Sequence, residues 1–314
     1  MDKLIAEDFE KKGFMIKRFF IFSSLFVFLV STSFSEEKTF ISLIYGYTPL
    51  SLNDFNDHTN SLNNMFSLIY DRFPSIGPPI FKSKEFEGLE HASSFESEIR
   101  IEIKNRFEIG FLFSYFLTHK SSESFVTAGS YEIFGQLSTK MTLLNPNLVL
   151  FHYIPFTKWF YVELSMGLGY YYAKVPFNQF LSIDHPYLFE QNDYFYQQSL
   201  NTNLRSHGFG ALAGLTFEIR PLKFLGILLG ARYRFVQMGK LSGSGIYEDT
   251  NTPQTEIDSG VLYYYYDQDL QSEFGEKFSQ LIFSADLPQG FFGLRQVKLD
   301  LTGYTLIIGL RFWF

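Results

Sequence analysis

The 314-residue chain contains no cysteine. That excludes disulfides, thiolate metal sites, haem attachment and an acylated lipoprotein cysteine. Charge is also scarce. Only 19% of residues are charged and the net charge is −7, so the clustered Lys and Arg that a nucleic acid backbone requires are missing. The six histidines stand at 58, 91, 119, 152, 185 and 207 with no His-x-x-x-His pair. No metal or cofactor is expected from them. The apolar run Phe19 to Val30 is too short to cross a bilayer of ~30 Å as a helix.

Aromatic rings are what the chain has in excess. They make up 19% of residues, 39 of them Phe and 20 Tyr, more than water-soluble domains carry and suited to the girdles of a membrane barrel. Mean hydropathy is near zero, as expected when strands average a greasy face against a polar one. The first 35 residues stand apart. Met15 to Ser35 holds a Lys17-Arg18 basic start, the apolar run and the small residues Ser33 and Ser35, which together read as a secretory signal. Residues 1–14, acidic and ahead of that basic start, suggest translation from Met15.

The stretch Ser206 to Met238 sets the pattern for the rest. Phe209, Ala211, Ala213, Leu215, Phe217 and Ile219 share one parity, and Gly208, Gly210, Gly214, Thr216, Glu218 and Arg220 the other. Past Pro221 to Lys223 the pattern returns, with Leu225, Ile227, Leu229, Ala231, Tyr233 and Phe235 against Gly226, Gly230, Arg232 and Arg234. A period of two with one apolar and one small or charged face predicts a long hairpin standing between lipid and a narrow lumen.

Residues 36–314 divide into eight such strands, predicting an all-β fold: an eight-stranded antiparallel up-and-down transmembrane β-barrel with long extracellular loops. The strands begin at Thr39, Phe95, Phe107, Tyr131, Trp159, Ser206 and Phe224, and the last ends at Phe314. Loops are expected at 49–93, 119–130, 176–205 and 239–293, with a short helix over Leu62 to Tyr70 in the first. Short turns then alternate with long loops, as periplasmic termini demand. Near Thr302-Gly303 a bulge is expected, because Val297, Leu299 and Leu301 are apolar on the wrong parity.

The final run, YTLIIGLRFWF, resembles the recognition signal of bacterial outer-membrane barrels. That resemblance implies that Tyr304, Phe312 and Phe314 engage the barrel-assembly machinery, and it places the protein in the bacterial outer membrane among lipid and lipopolysaccharide. Asn145 to Tyr172, with a Pro before an apolar strand, a short turn and then Gly167-x-Gly169-Tyr170, resembles the middle of OmpW-like barrels. The likeness implies a small porin-like barrel that binds or passes a small hydrophobic solute.

Candidate sites lie in the lumen and the loops. Glu102, Lys104, Glu108, Glu163, Glu218, Arg220 and Arg311 should face inward near the periplasmic end, where ion pairs would plug the base. Ile44, Leu112, Leu212, Leu228 and Ile307 should face inward at mid-height. They either pack on one another or line a site for a small hydrophobic molecule, with the inward glycines leaving room. Three functions remain open: solute binding or passage, a closed structural or adhesive barrel acting on a host or surface ligand through its loops, and a lipid-modifying hydrolase. The last would draw on His119, Ser121, Ser122, Glu123 and His207 near the outer rim, although no enzyme is the expectation. Asp267, Asp269 and Glu273 have a faint calcium-ligand spacing, and Tyr263 to Tyr266 form either a recognition surface or part of a strand.

Overall fold

A computed structural model describes residues 39–50, 52–72, 80–82, 84–104, 106–128, 131–185, 194–250, 254–268 and 277–313. The signal-peptide segment, Asp269, Glu273 and Phe314 lie outside these. The elements in chain order are β1 Thr39–Pro49, α1 Asn53–Arg72, β2 Ile80–Lys82, β3 His91–Lys104, β4 Phe107–Ala128, β5 Tyr131–Pro155, β6 Phe160–His185, β7 Tyr194–Leu222, β8 Leu225–Lys240, β9 Ser242–Asp249, β10 Thr255–Asp267, β11 Phe278–Ser284, β12 Phe292–Gln296, β13 Lys298–Asp300 and β14 Gly303–Trp313.

Eight of these strands close a ring. β1, β3, β4, β5, β6, β7, β8 and β14 pair antiparallel in that order, and β14 pairs back onto β1. Register can be followed from Gly303 through Arg234, Leu212, Gly167, Val149, Gly110, Arg100 and Phe40 to Trp313. One circuit therefore returns to β14 ten residues from its start. With strands about 4.8 Å apart rising about 3.3 Å per residue, that stagger tilts them by roughly 40°.

The outer face of the ring is apolar. Leu164, Met166, Leu168, Phe209, Leu229, Phe235 and Ile308 are all exposed there, at the parity expected of a lipid-facing belt. Trp159, Phe156 and Phe224 are exposed at the short-turn end, and Tyr170, Tyr233 and Tyr304 at the other. These are the two aromatic girdles.

Four strands run far past the belt, which corrects the expected loops. β4 has 22 residues, β5 25, β6 26 and β7 29, so 119–130 and 176–205 are mostly strand. The segment 239–293 contributes β9, β10 and β11, which extend the same sheet from the edge of β7. Helix α1 is also longer than expected, filling Asn53–Arg72. The reason is an inversion of polarity. Along β6 the inward residues change from Glu163, Ser165, Gly167 and Gly169 to Tyr171, Ala173, Val175 and Phe177, while the outward ones change from Leu164, Met166 and Leu168 to Lys174 and Asn178. Parity is continuous; only the solvent has changed. Below the transition the outside is lipid, and above it the outside is water.

The same inversion accounts for Val297, Leu299 and Leu301. They are buried and share the inward parity of Thr305 and Ile307, so no parity step occurs at Thr302-Gly303. The register irregularity lies earlier, between Lys298 and Asp300 against β8.

Candidate functional site

The lumen is filled at its base by charge. Arg100 makes a two-pronged contact with Glu163, Nη1 to Oε2 at 2.5 Å and Nη2 to Oε1 at 3.0 Å, and also pairs with Glu98. Arg311 donates through Nη1 to Glu163 at 2.9 Å, to Glu218 at 2.6 Å and to the Tyr153 hydroxyl, and through Nε to Ser42 Oγ at 3.0 Å. Arg232 bridges Glu96 and Glu98. Glu108 stands 3.5 Å from Arg100. Each of the eight ring strands supplies a member. Several contacts cross the lumen, joining β3 to β6, β8 to β3 and β14 to β6.

Neutrality makes so much buried charge tolerable. Arg100, Arg220, Arg232 and Arg311 pair with Glu96, Glu98, Glu108, Glu163 and Glu218, while Arg234 lies beside them and forms no ion pair among the described residues, so the formal charges number five of each sign. Paired and hydrogen-bonded charges avoid the desolvation cost of isolated ones. Aromatic faces complete the packing. Arg100 lies 3.3 Å from the Phe151 ring centroid, Arg234 4.3 Å from Phe116, and Arg220, at the rim, 3.8 Å from Tyr161 and 4.3 Å from Trp313, distances at which cations are held by ring faces.

The expected base set is thus brought together in part. Glu108, Glu163, Glu218 and Arg311 join the network, Arg220 closes its rim through Glu218 at 2.6 Å, and Glu102 is half-buried beside it. The side chain of Lys104 lies outside the described residues. Glu96, Glu98, Arg100 and Arg232 belong to the network too, although sequence reasoning did not gather them there. Their inward parity was the available signal.

The mid-height residues are all buried inside the ring, in two separate groups. Ile44, Leu228 and Ile307 pack together, and Leu112 and Leu212 pack with Val149 and Phe151. Inward glycines make room for neighbouring side chains. A Cβ at Gly110 would come within 2.7 Å of Arg100 Cγ, and one at Gly214 within 2.5 Å of Ser165 Oγ and 3.0 Å of Arg232 Cγ. The space these glycines provide is occupied by the arginine stems of the plug.

Above the belt, α1 stands inside the extended wall. Phe55, Leu62, Met65 and Phe66 recur at helical spacing and are buried, in a core of thirty buried apolar side chains that includes Leu137, Met141, Tyr171, Val175 and Leu204. Asp54 sits in the first turn, where a carboxylate suits the helix dipole, and Arg72 ends the last. Two asparagines fasten the helix to the segment before β3. Asn63 bonds the Phe86 carbonyl at 3.0 Å and N–H at 2.7 Å, and Asn56 bonds the Leu89 N–H at 2.9 Å and carbonyl at 3.4 Å.

The other side of the helix covers the edge of β11. The Ser279 N–H donates to Ser61 Oγ at 2.9 Å, and the Ser279 carbonyl accepts from His58 Nδ1 at 3.1 Å. His58 Nε2 lies 2.8 Å from the Gln179 amide. An edge that could otherwise template another strand is thereby closed. Burial holds the His58 pKa below its usual range, with the Ser279 and Gln179 hydrogen bonds opposing that shift. Beside the helix start, Asp54 pairs with Arg295 at 2.6 Å, at the margin of an open cleft of about 450 Å³ lined with Lys298 and Asp300.

The remaining candidates separate. His119, Ser121 and Glu123 lie on the outward face of β4, Ser122 turns inward to accept from the Glu87 N–H at 3.2 Å, and His207 is on β7, with β5 and β6 intervening. Three strand spacings, about 14 Å, separate His119 from His207. Asp267 ends β10. Tyr263 and Tyr264 are buried and Tyr265 and Tyr266 half-buried in that strand, so the tyrosine run belongs to the wall. Tyr304 is exposed on the lipid face and Phe312 half-buried.

A closed ring of eight antiparallel strands with an apolar belt outside defines the class: a transmembrane β-barrel of the outer-membrane kind. No family model matches the chain, and no curated protein matches it. Among solved structures it is similar to Ail, the attachment invasion locus protein of Yersinia pestis crystallised with the heparin analogue sucrose octasulfate (11% identity, 89% of this chain and 99% of that one, TM-score 0.28). It is also similar to a major outer membrane protein of Thermus thermophilus (10%, 88% and 99%, TM-score 0.32) and to the outer membrane protease OmpT of Escherichia coli (10%, 88% and 95%, TM-score 0.23).

Proposed function

We propose that the protein is a closed, non-catalytic barrel that acts through the domain it raises above the outer membrane. The observation that carries this is the filling of the lumen over its whole height. A network of four arginines and five glutamates, with Arg234 beside it, occupies the base, apolar groups pack at the middle, and the α1 core seals the top. Ile44, Leu112, Leu212, Leu228 and Ile307 then serve as packing, and neither binding nor passage of a small hydrophobic solute, as an OmpW-like barrel would provide, is needed to explain them. Tyr304 and Phe312, on the last strand, would still serve recognition by the assembly machinery, and the raised domain would meet a host or surface ligand.

Conductance of the purified protein in planar bilayers tests the proposal, together with uptake of small hydrophobic solutes in a deletion strain. The expected result is no steady conductance and no uptake defect. Steady channels, or slowed uptake restored by the intact gene, would overturn it in favour of the solute-passing barrel.

A further inference from the structure

Four basic side chains stand in one band on the outer wall, just beyond the lipid-facing belt. His119 on β4 is register partner of Lys140 on β5, and Lys174 on β6 is register partner of Arg205 on β7. All four share the outward parity of their strands; His119, Lys174 and Arg205 are exposed and Lys140 half-buried. With the strands tilted by roughly 40°, register places the four within about 5 Å of a common height. Four residues nearer the membrane on β6 and β7, Tyr170 and Phe209 meet edge-to-face at 5.4 Å, and Phe209 is 78% exposed. The band therefore begins where the greasy belt ends.

Its three fixed cations are not neutralised from within: among the described residues Lys140, Lys174 and Arg205 form no ion pair. The nearest outward acids on these strands, Glu123, Glu132 and Asp184, lie four or more residues further out. Like charges directly opposite on neighbouring strands are unfavourable, and Lys174 faces Arg205 in that way within a chain of net charge −7. An external anion that relieves the repulsion must sit at the level of lipid headgroups. Lysines there can lay their stems along the acyl boundary, and an arginine can grip phosphate with two parallel donors.

We propose that Lys140, Lys174 and Arg205, flanked by His119, form a docking site for the phosphates of a glycolipid in the surrounding outer leaflet. The site depends on the placement of the belt in the membrane and not on a closed lumen, so it can fail while the closed-barrel proposal survives, or the reverse.

Native mass spectrometry of the detergent-purified protein tests it, with bisphosphorylated lipid A, dephosphorylated lipid A and inorganic phosphate as probes. Wild type should retain the phosphorylated lipid and release the dephosphorylated one. The variant K140Q/K174Q/R205Q should hold the phosphorylated lipid on the order of a hundredfold less tightly, about fivefold per lost cation. The heat-dependent shift in gel mobility reports whether it is folded, and K140R/K174R/R205K should bind as wild type. If the triple variant does not fold, Lys174→Gln alone should show the fivefold loss. Equal retention by folded wild type and variant overturns the site, as does equal retention of both lipids. Displacement of the lipid by inorganic phosphate alone would also overturn it, by making the band a site for free anions.

Discussion

Arg311 Nη1 lies 2.9 Å from Glu163 Oε2, and the two residues come from β14 and β6, three strands apart around the ring. The contact crosses the lumen, and Arg311 also holds Glu218. Removing one partner from such a network strands the others as buried charge. Arg311→Met should therefore destabilise the barrel by about 3 to 5 kcal/mol, measured by urea unfolding in detergent. A loss under about 1 kcal/mol would show that water already reaches these groups.

The same variant should not conduct. The α1 core is held by its own contacts above the belt, so loosening the base leaves the top sealed. A steady current through Arg311→Met in planar bilayers would mean that the charged layer alone keeps the barrel shut.

Facing can be tested on one strand. Leu229 is 61% exposed to the lipid side of β8, and Leu229→Arg should cost about 2 to 4 kcal/mol, whereas Gln237→Arg, on the same face but beyond the belt, should cost roughly 0 to 1 kcal/mol. Equal costs at the two positions would mean that the belt has been placed at the wrong height.

Phe66 is 1% exposed at the centre of the upper core, and Phe66→Ala should remove about 3 to 5 kcal/mol from that core. The loss should be local. Protease cleavage and hydrogen exchange in α1 should rise sharply while the heat-dependent mobility of the barrel stays unchanged. Simultaneous loss of both would make the two levels one cooperative unit.

His58 should make the docking of α1 sensitive to acid. Its folded pKa is lowered from an ordinary value of 6.5 by burial, so below 6.5 the undocked helix takes up a proton that the docked one does not. Docking is then fully stable above 6.5, weakens as pH falls from 6.5 toward the folded value, and changes no further below that. The groups facing His58 are the Ser279 carbonyl on β11, the Gln179 amide and the Phe177 ring on β6, and Asp54 one turn earlier on α1; none of the three on the strands is charged. Protease cleavage of α1 should increase between pH 7.5 and pH 5 in wild type and change little in His58→Asn. A loosening in acid that survives the substitution would assign it to another group than Asp54, whose carboxyl burial pushes up so that it strengthens docking as pH falls.

The eight membrane strands were legible because lipid imposes one strict requirement, an apolar residue at every second position of the belt. Leu164 to Tyr170 and Leu215 to Ile219 meet it without exception. Past the belt the requirement changes hands: on β5, Ile133, Leu137 and Met141 are apolar because they face α1, and Gln136 and Lys140 are polar because they face water. A pattern tuned to greasy outward parity therefore stops short there and takes strand for loop. The helix was partly visible from Leu62 to Tyr70, but its first turns, Asn53 to Ser61, bury Asp54, His58, Thr59 and Ser61 and look like a solvated segment. Of the charged base, Glu163, Glu218 and Arg311 could be placed by parity. Their transverse partners could not, since which residue meets which depends on a stagger of ten that only the assembled ring fixes.

The formal charges of the five arginines and five glutamates at the base of the barrel cancel. A transmembrane field pulls on single charges, by about 2.3 kcal/mol per charge for each 100 mV, but on a neutral cluster the opposed pulls cancel. The plug is thus electrically deaf: potentials that open and close charged gates give it no push in either direction.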